Sequence, residues 1–123
     1  MQISEFAQRA GTTARMLRRY EEQGLLTPAA REANGYRSYS EDQLPRARQI
    51  SGLLAAGVPS RLVADLLDAL GTDGGIYPQH VGAEAVSAVE DEWARMCRCV
   101  ECMAARRDAL RGYLDQLATA SRS

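Results

Sequence analysis

Arg15, Arg18, Arg19 and Glu22 are spaced i, i+3, i+4 and i+7, the interval that lines side chains along one stripe of a helix. Three guanidinium groups on one short face repel each other and gain nothing from packing. The arrangement suits a polyanion. Met16, Leu17 and Tyr20 fall on the other side, and Gly24 follows as a helix stop, since the residue just past a helix end often needs positive φ. Ten residues later, Asn34-Gly35-Tyr36-Arg37-Ser38-Tyr39 joins a turn pair to alternating aromatic and polar residues, which reads as a β-hairpin. Strand alternation places Arg37 and Tyr39 on one face and Tyr36 and Ser38 on the other.

Charge is distributed to match. The 123 residues carry a net charge of −1, but residues 1–62 hold nine Arg against six acids, and residues 63–123 six Arg against ten. The front half is the candidate for phosphate contact. All basic residues are Arg, with no Lys.

Other chemistry is sparse. A single histidine, His80, lies in a Gly-rich stretch, and Gly74-Gly75 lacks the G-x-G-x-x-G spacing of a phosphate loop. No motif places a nucleophile beside a base, so no enzyme is expected and no cofactor. Cys97, Cys99 and Cys102 invite a metal or redox reading. Consecutive helical residues turn by about 100°, so Cys97 and Cys99 point to nearly opposite sides. Only Cys99 and Cys102 share a face, and two ligands are not a site. Packing beside an apolar seam is the favoured reading, with a thiol-reactive, metal-responsive or dimer-bridging role as the alternative.

Several elements must position these groups. Ser4 is the expected cap of a first helix through about Ala10, with Ile3, Phe6, Ala7 and Ala10 as its apolar side. Gly11 ends it, and Thr13 caps the Arg-striped helix. Two short helices about a Gly-containing turn form a helix-turn-helix, whose second helix enters the major groove. Ser40-Glu41-Asp42-Gln43 is a capping box. It starts a third helix with Leu44, Ala47, Ile50 and Leu54 as the buried face. Pro45 predicts a kinked or 3₁₀ first turn. Gly57 ends that helix, and Val58-Pro59-Ser60 opens a fourth, with Leu62, Val63, Leu66, Leu67 and Leu70 toward the core. Residues 1–70 are thus read as one winged helix-turn-helix domain, 71–82 as a hinge, 83–118 as a coiled-coil helix and 119–123 as a short tail. The fold class is mainly α.

The long helix carries a heptad: Val86, Val89, Trp93, Met96, Val100, Met103, Arg107, Leu110, Leu114 and Leu117 alternate steps of three and four. Such a narrow seam cannot bury itself, and the simplest partner is a second copy. No apolar run reaches the roughly 20 residues of a membrane span. There is no signal-peptide pattern, so a cytoplasmic location is expected.

The segment LRRYEEQGLL followed by NGYRSY, at this spacing, resembles the DNA-binding half of the mercury-resistance regulator (MerR) family of bacterial transcription factors. The resemblance covers residues 1 to about 70. It implies a homodimer on a pseudo-palindromic promoter site in double-stranded DNA, paired through antiparallel long helices. Such a dimer would distort the promoter until RNA polymerase engages it. It implies DNA contacts from Thr13, Arg15, Arg18 and Arg19 on the helix and from Arg31, Tyr36 and Arg37 on the wing, with Tyr20 supporting and Tyr39 packed inward. Arg19 stands where many relatives have an aromatic residue. The family's metal and redox sensors carry cysteines mainly in a loop after the long helix, and residues 119–123 hold none. The rival reading from another class is a coiled-coil adaptor that does not bind DNA.

Overall fold

The computed structural model describes residues 1–122. Two compact units make up the chain, Met1–Val86 and a second beginning at Ser87.

In the first unit, α1 (Ile3–Ala10) starts two residues before the point a Ser4 cap would allow. Gln2 takes the cap position in extended conformation because it bridges Ser38 of the hairpin, and Phe6 N–H closes the first turn onto its carbonyl at 3.0 Å. Gly11, at φ 74°, turns the chain out of the helix. α2 (Ala14–Glu22) begins as expected, with Thr13 Oγ1 accepting the Met16 N–H at 3.2 Å. The wing is brief: β1 (Ala30–Arg31) pairs antiparallel with β2 (Arg37–Ser38), Arg31 opposite Arg37. Gly35 has the positive φ its turn demands, and Asn34 Oδ1 accepts the Tyr36 N–H at 3.1 Å.

A 3₁₀ turn, Glu41–Gln43, precedes α3 (Leu44–Ala55), so Pro45 is accommodated as anticipated. The Ser40 N–H donates to Gln43 Oε1 at 3.0 Å. Leu44, Ala47, Ile50 and Leu53 are the buried apolar residues of α3; Leu54, expected inside, is only half-buried. Since α3 packs on both α1 and α4 (Ser60–Asp68), its covered arc is wider than one stripe and takes in Leu53 and the polar Gln49. On α4, Val63, Leu66 and Leu67 are buried, while Leu62 and, two residues past the helix end, Leu70 lie half-buried at the edge of the core. Phe6 stacks on Tyr39 with ring centroids 4.3 Å apart, joining α1 to the wing.

Residues 71–82 contain no helix or strand, but they are not the free hinge the composition suggested. Gln49 Nε2 donates to the carbonyls of Gly71 at 2.7 Å and Gly75 at 3.1 Å. Ile76 packs so close to α3 that a Cβ on Gly52 would stand 2.8 Å from its Cγ2. These contacts place the segment within the compact unit Met1–Val86. The last element, α5 (Ala83–Ser121), spans 39 residues and extends beyond the expected end at Ala118. Most of the anticipated tail is thus helical, and Ser123 lies outside the described residues.

Gln49→Ala would remove both donors to that segment. The expected cost is about 1–2 kcal/mol of unfolding free energy, with faster amide exchange and proteolysis confined to residues 71–82. Chemical denaturation combined with exchange mass spectrometry checks both.

Candidate nucleic-acid interface

Thr13 fixes the start of α2, and Leu17 and Tyr20 anchor its inner side in the core. That leaves Arg15, Arg18, Arg19 and Glu22 exposed, lining with Gln23 one shallow concavity. Among the described residues no ion pair ties up any of the three arginines. The face combines a net positive charge, three arginines against the one Glu22, with planar, bidentate donors, the chemistry that recognises phosphate oxygens and guanine edges. At the wing, Tyr36 is 65% exposed and Arg31 is exposed, with its Nη1 in a long 3.5 Å contact with the Gly35 carbonyl.

Tyr20, expected in support, lies in the core, and Arg37, expected near phosphate, has a partner inside the chain. The Tyr20 ring is buried, and its hydroxyl shares a 3.3 Å hydrogen bond with Thr12 Oγ1. It is a core residue. Arg37 is half-buried, and its Nη1 donates to Glu21 Oε2 at 2.7 Å. Its position beside Tyr39 agrees with the strand alternation, but that face is turned toward α2.

Glu21 is the residue that sequence reasoning missed. In an Arg-Arg-Tyr-Glu-Glu run it reads as one more solvated charge, yet its side chain is only 9% exposed. Its Oε1 accepts the Ala29 N–H at 2.9 Å and the Tyr39 hydroxyl, in addition to the Arg37 bond on Oε2. Burial pushes the carboxyl up. The Tyr39 hydroxyl, the Ala29 N–H and the Arg37 charge oppose it and together hold it below the ordinary value of 4.5. Tyr39 is pushed from 10.0 to about 12, by burial first and then by the hydrogen bond to Glu21 and its charge.

On α5 the expected seam is bare. Val86, Val89, Trp93, Met96, Val100, Met103, Leu110, Leu114 and Leu117 are all exposed, Trp93 at 69% and Val100 at 68%. Arg107 pairs with its neighbour Asp108 at 2.9 Å. The three thiols are free, Cys97 half-buried and Cys99 and Cys102 exposed, with Arg95 Nη1 at 3.7 Å from Cys99 Sγ. Among the described residues no three His, Cys, Asp or Glu side chains converge as they would on an ion, and none of the helices is long and apolar enough to cross a membrane.

A capped helix-turn-helix with a free Arg face, followed by a short wing, defines a DNA-binding transcriptional regulator. The family model described as "MerR HTH family regulatory protein" matches residues 1–70, and the chain belongs to that family. It is 31% identical over 118 residues to a probable heavy metal-dependent transcriptional regulator of Haemophilus influenzae, an alignment covering 95% of this chain and 77% of the relative. It also resembles the lead(II) complex of the transcription regulator PbrR691 from Ralstonia metallidurans, with TM-score 0.56, 27% identity and coverage of 94% and 84% of the two chains. HiNmlR, described as a MerR family regulator lacking the sensor domain and bound to promoter DNA, shares the fold at TM-score 0.51 and 23% identity, over 94% of this chain and 78% of that one.

The Glu21 carboxyl lies below its unfolded value, so its contribution to stability is complete above pH 4.5 and is lost as pH falls through the folded pKa. Tyr39 acts at the other end: its contribution is complete below about pH 10 and is lost as pH rises toward 12. At neutral pH, Glu21→Gln should lower stability by about 1.5–3 kcal/mol. Thermal melts of both proteins from pH 3 to 8 should show that gap closing below pH 4.5, where the wild-type carboxyl becomes protonated and resembles the amide.

Proposed function

We propose that this MerR-type regulator binds a pseudo-palindromic promoter site as a homodimer, with α2 of each copy in the major groove. The observation that carries the reading is the exposed Arg15–Arg18–Arg19 face, without an ion-pair partner among the described residues and mounted on a helix whose start is fixed by Thr13. Arg15, Arg18 and Arg19 would face the groove together, where guanidinium groups can bond base edges or phosphates. Arg31 and Tyr36 reach the flanking backbone from the wing, where contacts position the protein without specifying sequence. Arg37 serves this interface from behind, through Glu21.

Pairing is supported by the seam of α5. Nine large apolar residues at heptad spacing, all exposed in one chain, form a face that water disfavours and a second copy would cover. An antiparallel partner centres the pair between Glu101 and Cys102, the midpoint of the Val86–Leu117 stretch. Two recognition helices held at a fixed separation bind best to DNA bent and untwisted to suit them. The dimer would then act by deforming the promoter for RNA polymerase, a form of readout through shape.

Two substitutions test separate parts of this reading. Arg18→Ala should weaken operator binding by about 1–3 kcal/mol and relax preference at one base pair, measured by anisotropy on a set of single-mismatch duplexes. Equal affinity for all of them in wild type and variant would remove α2 from the groove. Val100→Glu places an uncompensated charge in the seam. Sedimentation should show a monomer, and operator binding should fall with it because half-site spacing requires both helices. A monomer that still binds tightly contradicts the dimer.

A further inference from the structure

The wing has little of its own to hold it. Its two strands pair over only two residues each, and an isolated two-stranded hairpin is marginal in water. Met1 exchanges two 2.8 Å hydrogen bonds with the Tyr39 backbone, and the attachment to the recognition helix is supplied by one carboxylate. Glu21 Oε1 takes the Ala29 N–H, immediately before β1, together with the hydroxyl of Tyr39, immediately after β2. Oε2 takes Arg37 within β2. A single side chain thus grips the approach to one strand, the body of the other and the exit from the hairpin. It does so from α2, the helix that carries Arg15, Arg18 and Arg19 on its outer face.

We infer that Glu21 is the positioning residue that sets the wing's Arg31 and Tyr36 at a fixed offset from the Arg face of α2, so that helix and wing present one continuous surface to DNA. The inference rests on the proposed DNA-facing role of these two elements. Glu21 itself touches no nucleic acid: its carboxylate is buried and negative, and it would repel phosphate. Its charge instead neutralises Arg37, keeping that guanidinium inward as a strut. Without Glu21, Arg37 is released to solvent and the hairpin loses its three attachments to the helix. The Phe6–Tyr39 stack and the Gln2–Ser38 bridge remain. The wing should then loosen without unfolding the domain.

The test uses the full chain and a mixed-sequence 30-base-pair duplex, with binding measured by anisotropy across a salt series. Glu21→Ala should bind the duplex roughly tenfold more weakly at moderate salt. Its log affinity against log salt should be shallower by about one unit for each phosphate that the wing no longer reaches. Amide exchange at Glu32 and Gly35, whose N–H groups bond within the hairpin at 2.9 Å, should rise, with the α3 core unchanged. Glu21→Gln keeps an acceptor for Ala29 and Tyr39 but loses the ion pair, so it should fall between the two, and it serves alone if the alanine variant does not fold. A purely structural role would lower the melting temperature and leave the folded variant's affinity, salt slope and wing exchange at wild-type values. That result overturns the inference. A wild-type protein with no salt-dependent duplex binding would overturn the DNA-facing reading first, and this one with it.

Discussion

One buried carboxylate decides how the two halves of the interface relate. A charge at Glu21 is tolerable away from water because three donors meet it, all belonging to the hairpin or its flanks. Removing a carboxylate from solvent costs several kcal/mol before compensation, so each of these bonds matters. Either the hairpin docks on α2 or the charge is left unpaired. The arginine face and the wing are consequently coupled through Glu21, since the hairpin's ties to Met1, Gln2 and Phe6 do not reach α2.

Features governed by neighbours in the chain were legible in the sequence. Thr13 caps α2, the Asn34-Gly35 turn reverses the strands, and Pro45 enforces a 3₁₀ opening, because each depends on the backbone within a few residues. Features settled by distant contacts were not. Ser4 had the right chemistry for a cap, but the pairing of Gln2 with Ser38 moved the helix start. Leu53 and Leu54 differ by one position on α3, and only the presence of helices on two sides decides between them.

The candidate site divides along the same line. Exposed residues such as Arg15, Arg18, Arg19 and Tyr36 were recognisable because their pattern makes sense only if they face outward. Arg37 fits an equally basic pattern, yet it turns to Glu21, whereas the helical spacing had already put Tyr20 on the inner side. Glu21 and Gln49 were invisible for a common reason: a polar side chain buried by partners far along the sequence carries no periodic signal. Glu21 was adjacent to another glutamate, and Gln49 sat between an arginine and an isoleucine. Their roles emerge only when Ala29, Arg37 and Tyr39, or Gly71 and Gly75, come within hydrogen-bond distance.

The uninterrupted helix from Ala83 to Ser121 also sets a rule for how this chain can change in length. Each added residue advances the axis by about 1.5 Å and turns everything beyond it by about 100°. A single insertion in the middle would swing Leu110, Leu114 and Leu117 out of line with Val86 and Trp93. Seven added residues return the apolar row almost to its starting bearing. Length differences within α5 should therefore come in whole heptads.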